Sequence, residues 1–447
     1  MREMKASGIS WLGEFPSNWK LRKIKYCLQE RVEKNNPVRT TEILSLTAKQ
    51  GVIPYDQKEG GGNKPKEDVS AYRLAYPGDI VMNSMNILSG SVGLSQYFGC
   101  VSPVYYMLRP WNAKEDVRYY NYIFQTTMFQ RSLFGLGNGI LIKESGNGKL
   151  NTIRMRIPMD KFGNLFIPVA PTDEQRRIAD FLDAKCAEID VLTADIQTQI
   201  DILEQYKRSV ITETVTKGLN PDVEMKDSGI QWIGNMPSHW EINRIKYLFS
   251  NGKGLPITKE NLIDEGLPVI SYGQIHSKSN TGVEVSTDLL RFVSFNYEKS
   301  FPQCKVSKFD FVFADTSEDY DGCGNCVYKR DDSLLYAGYH TIVLHSLYES
   351  DNRYLAYLFQ TDLWRKQIRS AVSGVKVFSI TQKILMNSQV IVPSLTEQQE
   401  IADYLDRKCT EINGLIADKR EQLDTLASYK KSLIFEYVTG KKEVPIS

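Results

Sequence analysis

The chain has little histidine, no long hydrophobic run and almost no excess of either charge. Only four histidines occur in 447 residues, and none stands in an arrangement that predicts general acid–base catalysis. No apolar stretch approaches the roughly 20 residues that a membrane-spanning helix needs. The formal net charge of +1 is lower than a free-standing nucleic-acid-binding protein usually carries. A nucleic-acid function would therefore require a partner that shares the electrostatic work.

Cysteine usage and the first residues both bear on the compartment. The seven cysteines are an odd number in a large chain, and "MREMKASGIS" at residues 1–10 lacks the hydrophobic core of a signal peptide. We therefore expect reduced thiols in a cytoplasm. The nearest further candidate ligands to the Cys-x-x-Cys pair Cys323 and Cys326 are Cys304 and His340, whereas a structural zinc usually takes two such pairs. A glycine turn between strands is the favoured interpretation, and we predict no metal site.

A long internal repeat organises the chain. "SGISWLGEFPSNWKLRKIKY" at residues 7–26 returns as "SGIQWIGNMPSHWEINRIKY" at residues 228–247. A second pair of blocks, "TDEQRRIADFLDAKCAEIDVL" from Thr172 and "TEQQEIADYLDRKCTEINGL" from Thr396, has the apolar spacing of threes and fours that is typical of a helix. The length of the chain favours two or three domains, so we predict two similar modules, each with a lead-in segment and a long helix. The tryptophans of the lead-in segments are interpreted as packing anchors: Trp11, Trp19, Trp232 and Trp240.

Both helical blocks carry start and stop signals. The pairs at residues 172–175 and 396–399 have the Thr-x-x-Gln spacing of a capping box, and Gly218 and Gly440 stand where a left-handed C-terminal cap would lie. Such a helix would be roughly 65 Å long. Because the apolar seam is sustained over most of that length, pairing of the two helices is favoured over packing of each helix on its own domain. The residues assigned to helix packing or partner contact are Ile178, Leu182, Ile189, Leu192, Ile196, Leu203, Ile401, Leu405, Ile412, Leu415, Leu426 and Leu433.

The segments between the repeats look less alike and are rich in β signals. Runs such as "DIVMNSMNI" and "GYHTIVLHS" are short, β-branched or alternating, and bounded by Gly, Pro and Asp. We therefore predict an α+β fold, with two globular β-rich domains separated by two long helices that pair as an antiparallel coiled coil. The predicted bounds are an N-terminal domain at 1–168 with its lead-in at 4–28, a central helix at 169–219, a second domain at 220–392 with its lead-in at 225–249, and a C-terminal helix at 393–447.

This arrangement resembles the specificity subunit of type I restriction-modification systems. The resemblance covers nearly the whole chain and is most specific in the lead-in repeat and in the junctions "IPVAPTDEQRRIADFLD" and "IVPSLTEQQEIADYLD". It implies that each β-rich domain is a target-recognition domain that reads one half of a bipartite sequence in double-stranded DNA. It also implies that the paired helices set the spacer between the half-sites and dock two methyltransferase subunits, with up to two restriction/translocase subunits as further partners.

The resemblance further implies a non-catalytic subunit of a prokaryotic, cytoplasmic complex. No Pro-Pro pair occurs in the chain, so the Asn/Asp-Pro-Pro-Tyr/Phe motif with which an adenine methyltransferase holds its flipped base is missing. We therefore expect no catalytic residue and no cofactor bound by this chain. S-adenosylmethionine, ATP and Mg²⁺ would belong to the partner subunits. The glycine-rich segment at residues 134–139 lacks the preceding strand and following helix of a nucleotide-binding loop and is interpreted as a recognition loop or turn.

Candidate DNA contacts lie in polar, glycine-bearing loops between predicted elements. Phosphate contacts there would fix the register, and contacts with base edges would select the sequence. The candidates are Lys64, Lys66, Arg73, Asn83, Ser84, Asn86, Asn138 and Lys143 in the first domain, and Tyr272, Gln274, His276, Lys278, Thr316, Ser317, Tyr320 and Lys376 in the second. A hypothesis from another class stays open, because the near-neutral charge also suits a structural adaptor whose two domains bind proteins on a coiled-coil spacer.

Overall fold

The computed structural model describes residues 2–47, 50–58, 65–87, 90–137, 156–348, 350–374 and 377–445. The chain divides into two compact units: residues 1–197 with 421–447 form the first, and residues 198–420 form the second. Each unit therefore contains one β-rich domain together with part of both long helices. The boundary between the two units falls within each long helix, whereas the domain bounds predicted from the sequence treat each helix as a separate segment. Those bounds therefore stay predictions.

The β-rich domain of the first unit is built on a four-stranded antiparallel sheet. Its order is β4-β11-β8-β9, and the inward side chains of the sheet, such as Ile80, Met82 and Leu108, belong to the main core of the unit. The strands are β1 (Met4–Ala6), β2 (Glu14–Pro16), β3 (Lys20–Lys23), β4 (Leu28–Arg31), β5 (Leu44–Thr47), β6 (Gly51–Pro54), β7 (Arg73–Ala75), β8 (Ile80–Asn83), β9 (Val92–Leu94), β10 (Gly99–Val101), β11 (Tyr105–Pro110) and β12 (Phe166–Val169).

The second unit repeats this sheet with different sequences. Its order is β16-β23-β19-β21, again antiparallel throughout, and a three-stranded sheet β18-β17-β22 lies in the same unit. The strands are β13 (Met225–Asp227), β14 (Asn235–Pro237), β15 (Glu241–Arg244), β16 (Phe249–Lys253), β17 (Leu267–Ile270), β18 (Arg291–Val293), β19 (Phe311–Ala314), β20 (Thr316–Ser317), β21 (Cys326–Tyr328), β22 (Tyr336–Ala337), β23 (Thr341–Ser346), β24 (Phe378–Ser379) and β25 (Gln389–Val392). The duplication therefore extends into the β-rich domains, although their sequences look unlike.

The α-helices divide into short helices on the domains and two long ones. They are α1 (Val117–Gln125), α2 (Thr127–Ser132), α3 (Met159–Gly163), α4 (Thr172–Lys217), α5 (Tyr272–Ile275), α6 (Asn296–Ser300), α7 (Arg353–Gln360), α8 (Asp362–Ala371), α9 (Gln382–Asn387) and α10 (Leu395–Val438). The lead-in strands β3 and β15 pair with β12 and β25, which come just before α4 and α10. Each lead-in segment is thus joined to the start of a long helix.

The two long helices pack together in opposite directions. In the first unit, Lys430 Nζ lies 2.6 Å from Asp190 Oδ1. In the second, Arg420 Nη2 lies 3.2 Å from Glu204 Oε1. As the position on α4 advances, the partner position on α10 moves back, which is the signature of an antiparallel pair. The predicted α+β class with paired long helices is confirmed.

The starts of the long helices differ from the predicted capping boxes. At α10, the backbone N–H of Glu397 donates to Ser394 Oγ (3.3 Å), and the Ser394 N–H donates to Glu397 Oε2 (3.4 Å). The box predicted at residues 396–399 is therefore wrong by two positions. At α4, the Gln175 amide donates to the carbonyl oxygen of Ala170 (2.9 Å) and does not return to a threonine cap. The cause is that both helices begin earlier than the threonine signal suggests.

Candidate functional site

A buried tryptophan joins each lead-in segment to both long helices. In the first unit, Trp19 Nε1–H donates to Glu174 Oε2 in the first turn of α4 (2.9 Å). The ring lies edge-on to Tyr119, at 6.1 Å between centroids, and the Tyr119 hydroxyl donates to the carbonyl oxygen of Val438 at the end of α10 (3.1 Å). A Cβ on Gly440, whose φ is +71°, would lie 2.4 Å from Pro16 Cγ and 3.1 Å from Trp19 Cη2, so the glycine end of α10 makes room for the lead-in segment.

The second unit repeats this tryptophan joint with the roles of the two helices exchanged. Trp240 Nε1–H donates to Glu397 Oε1 in the first turn of α10 (3.2 Å), and its ring lies edge-on to Tyr354 at 6.4 Å. The Tyr354 hydroxyl donates to the carbonyl oxygen of Val215 near the end of α4 (2.9 Å). A Cβ on Gly218 would lie 3.2 Å from the Trp240 ring. Both predicted glycine ends are confirmed by positive φ values of 79° and 71°.

An arginine on the core helix of each domain binds the neighbouring long helix. In the first unit, Arg118 Nη2 lies 2.6 Å from Asp116 and 2.7 Å from Asp180, and its Nη1 lies 2.7 Å from Asp183. The Tyr122 hydroxyl donates to the same Asp183 carboxylate (2.6 Å). The hydrogen bond with Asp116 raises the pKa of Arg118 above its ordinary value. This cluster fixes α1 against the first turns of α4.

The second unit has the equivalent cluster on α7 and α10. Arg353 pairs with Asp351 through Nε, and its Nη1 lies 2.8 Å from Asp403 and 2.6 Å from Asp406. The Tyr357 hydroxyl donates to Asp406 Oδ1 (2.7 Å). Burial opposes ionisation of Asp406, but the hydrogen bonds from Tyr357 and Arg353 outweigh burial, so the pKa of this carboxyl lies below its ordinary value.

The predicted helix seam is buried or half-buried except at two equivalent leucines. The residues of the seam that are buried are Ile178, Leu182, Ile189, Leu433, Ile401, Leu405 and Ile412, and those that are half-buried are Ile196, Leu203 and Leu426. Leu192 and Leu415 are 51% and 45% exposed. Each unit also has an exposed tyrosine on its other long helix, Tyr429 in the first unit and Tyr206 in the second. We call these pairs the Leu–Tyr patches.

Three of the five described candidate DNA contacts of the first unit are engaged inside the protein. Lys64, Asn138 and Lys143, like Lys376 of the second unit, lie outside the described residues. The Ser84 hydroxyl is buried and donates to the carbonyl oxygen of Val104 (2.7 Å), and Asn83 Oδ1 accepts from the backbone of Met85 (3.0 Å). Arg73 Nη1 lies 2.7 Å from Glu30 Oε1.

Two candidates of the first unit remain on its surface. The side chains of Lys66 and Asn86 are exposed. Of the described candidates in this unit, these two are the best placed to meet a ligand.

The candidates of the second unit converge from separate loops. His276, which follows α5, has its Nε2 2.8 Å from the carbonyl oxygen of Thr316 on β20, and its ring lies 6.3 Å from that of Tyr272. The Tyr320 ring is exposed and packs edge-on against Phe378 at 5.6 Å. This contact links a third element, β24, to the same region.

The remaining candidates of the second unit differ in exposure. Lys278 is exposed. Gln274 Oε1 accepts from the backbone N–H of Ser271 (3.2 Å) as a helix cap. The Ser317 hydroxyl is buried and donates to the carbonyl oxygen of Asp319 (2.7 Å), so the last two side chains shape the loops.

Two members of this surface, Asp315 and His340, are not among the individual residues predicted from the sequence to contact DNA. Asp315 Oδ1 accepts from the Thr316 hydroxyl (2.7 Å) and lies 3.3 Å from His340 Nδ1. The His340 ring is edge-on to Tyr272 at 5.4 Å. We call Tyr272, His276, Asp315, Thr316 and His340 the loop cluster. The sequence signal for His340 is the glycine at 338, which marks a turn before a strand.

The buried cysteines do not form a metal site with other residues of the described chain. Cys323 and Cys326 are fully buried, and burial raises the pKa of Cys326 to about 12. Across the described residues, no group of three or more His, Cys, Asp and Glu side chains is placed to hold a metal ion. In the same part of the chain, none of the helices combines the length and apolarity that crossing a membrane requires.

Comparisons with known proteins agree on one family. The family model of the type I restriction modification DNA specificity domain matches residues 237–425. The chain is 24% identical to the type I restriction enzyme MjaVIII specificity subunit of Methanocaldococcus jannaschii, over 63% of this chain and 63% of that protein. It is 22% identical to the putative MjaX specificity subunit of the same organism, over 97% of this chain and 96% of that protein.

A solved structure gives the same picture for the fold. A chain from a structure of a type I R-M system aligns with a TM-score of 0.69 at 15% identity, and the alignment covers 96% of this chain and 99% of that one. At this identity the likeness concerns the fold alone. The chain spans less than two thirds of the MjaVIII subunit and nearly the whole length of the solved chain.

Proposed function

We propose that the chain is a specificity subunit that selects the DNA sequence on which a type I restriction-modification complex acts. The similarity to a putative type I specificity subunit over 97% of the chain and the matching specificity-domain model at residues 237–425 support this proposal. Each of the chain's two domains reads one half of a bipartite site in double-stranded DNA, and the complex then methylates adenine at that site or restricts the DNA. The observation that carries this proposal is the duplicated architecture. The two units contain sheets of the same strand order, and in each unit an equivalent tryptophan and an equivalent arginine bind the long helices. The loops that carry the candidate DNA contacts differ in sequence between the units.

Different loops on a common frame suit the recognition of two different half-sites. Base edges in the major groove are distinguished by the donors and acceptors that side chains bring to them, whereas phosphate contacts carry no sequence information. The first unit offers Lys66 and Asn86, and the second offers the loop cluster. The two surfaces present different residue types, so the half-sites they select should differ in sequence.

The Leu–Tyr patches support the docking of two identical partner subunits. Leu192 and Leu415 occupy equivalent positions in the repeat, and so do Tyr429 and Tyr206. An exposed apolar pair that recurs once in each unit fits two copies of one protein, because a repeated surface presents the same contacts twice. In this proposal the partners are methyltransferase subunits, which also supply the positive charge that a chain of net charge +1 does not have.

The paired helices also act as the spacer in this proposal. The ion pairs Asp190–Lys430 and Glu204–Arg420 hold the two helices in one register, and a helix has a fixed rise of about 1.5 Å per residue. A fixed register gives a fixed length, which is what recognition of two half-sites at a constant separation requires.

Mapping methylated adenines across a genome, with the chain present and absent, tests this function. We expect a two-part motif with a constant spacer that disappears with the chain. A structural adaptor, which the low net charge also suits, predicts no change in methylation, and that result would refute the proposal. The chain alone, given S-adenosylmethionine and DNA, should transfer no methyl groups, because it directs catalysis by its partners; robust turnover would contradict that part of the account.

A further inference from the structure

His340 has an unusual backbone for an exposed residue. Among the described non-glycine residues, only Phe309 and His340 have a positive φ, and that of His340 is 54°. L-amino acids rarely adopt this left-handed conformation, and such strain is retained where the surrounding structure enforces it. The side chain of His340 is nevertheless 57% exposed. Packing of this ring in a core therefore does not account for the conformation.

The backbone of the turn that precedes His340 packs closely against two other chain segments. A Cβ on Gly338 would lie 2.0 Å from Ser271 Oγ, and a Cβ on Gly254 would lie 1.8 Å from the carbonyl oxygen of Gly338. The Gly338 N–H donates to the carbonyl oxygen of Ile270 (2.7 Å). Three chain segments thus meet backbone to backbone, and the turn that presents His340 is fixed by all of them.

Neighbouring side chains also set the direction of the His340 ring. Asp315 Oδ1 lies 3.3 Å from Nδ1 of the ring, and the Thr316 hydroxyl donates to the same Asp315 oxygen (2.7 Å). The rings of Tyr272 and Tyr339 are edge-on to the imidazole at 5.4 and 6.0 Å. An ionised carboxylate accepts hydrogen bonds only, so Nδ1 carries the proton toward Asp315, and Nε2 of the neutral ring is then an acceptor.

We propose that His340 determines specificity at one base pair of the half-site read by the second unit. Nε2 accepts a hydrogen bond from an exocyclic amino group in the major groove, which is N6 of adenine or N4 of cytosine. Rigid placement suits this task, because a base-reading group must be positioned before the DNA arrives. The inference rests on the proposed function of the chain and adds to it the residue and the chemistry of the contact.

His340→Gly tests the contact without disturbing the turn. Glycine adopts positive φ freely, so the variant loses the imidazole and keeps the backbone, and its melting temperature should match that of the wild type. Methylation by the complex would be measured on duplexes that carry the mapped motif and each of its single-base variants. We expect discrimination at one position of the second half-site to fall by about 5- to 150-fold, with the first half-site unchanged.

Two comparison variants make the outcome specific. His340→Asn keeps a residue tolerant of positive φ and returns an acceptor oxygen, so it should retain part of the discrimination. Lys278→Ala removes an exposed charge from the same region and should lower methylation of all sequences alike. If His340→Gly also lowers all sequences alike, or leaves the motif intact, the inference is overturned. The proposed function has its own test: it would be refuted if methylation directed by the wild-type chain showed no two-part motif.

Discussion

Replacing Trp19 with alanine should destabilise the first unit and leave the recognised DNA sequence unchanged. The indole is buried at the point where the lead-in segment meets the start of α4 and the end of α10. It contacts neither Lys66 nor Asn86, the exposed candidates of this unit. The substitution therefore separates the joint from the surface that would read DNA.

The size of the effect follows from the burial of the indole. Truncation of a buried tryptophan to alanine costs about 3–5 kcal/mol of unfolding free energy. At about 2–4 °C per kcal/mol for a unit of this size, the melting temperature should fall by on the order of 10 °C. Trp19→Phe keeps most of the volume and should lose only about 2 kcal/mol with the hydrogen bond to a charged partner.

Thermal unfolding followed by circular dichroism, together with methylation mapping, measures both parts of this prediction. Trp240→Ala is the matched variant, because Trp240 makes the same contacts with Glu397, Tyr354 and Gly218 in the second unit. Both alanine variants should melt earlier and direct methylation to the wild-type motif at a permissive temperature. An unchanged melting temperature would refute the anchoring role, and an altered motif would show that Trp19 takes part in sequence selection.

Two further predictions concern the spacer and the second arginine joint. Four residues inserted into both long helices, after Gln197 and after Arg420, keep the antiparallel register and add about 6 Å to each helix. Methylation mapping should then find a spacer between the half-sites that is longer by about two base pairs. An unchanged spacer would mean that the helices do not set its length. Because the pKa of Asp406 is lowered from its ordinary 3.8, its ionised form adds stability above about pH 4 that is lost as the pH falls through the folded-state pKa. Asp406→Asn should therefore melt earlier than the wild type at pH 7 and respond less to acid in a pH series; equal slopes would contradict the role of Asp406.

The repeated segments made much of the architecture predictable. The apolar spacing located both long helices, and Gly218 and Gly440 marked their ends because a left-handed cap favours glycine. The resemblance to type I specificity subunits, which rested on those segments, is confirmed. The strand order of the sheets could not be predicted from the sequence. β4 pairs with β11 about 80 positions later, and the sequence of a short strand does not indicate so distant a partner.

The loops that would meet DNA were less predictable than the frame. Polar residue types alone did not separate Lys66, which is exposed, from Ser84, whose hydroxyl is used internally. The backbone angle of His340 and its contact with Asp315 depend on three distant segments coming together. Exposure of Leu192 likewise follows from the pairing geometry of the helices, because its spacing is the same as that of the buried seam residues.

The measurement that tests the central claim most directly is methylation mapping after exchange of one domain. Residues 29–167 would be replaced by the equivalent region of a related specificity subunit, with both long helices retained. If each domain reads its own half-site, one half of the methylated motif changes, while the other half and the spacer stay as in the wild type. A motif in which both halves change, or in which neither changes, would contradict the account.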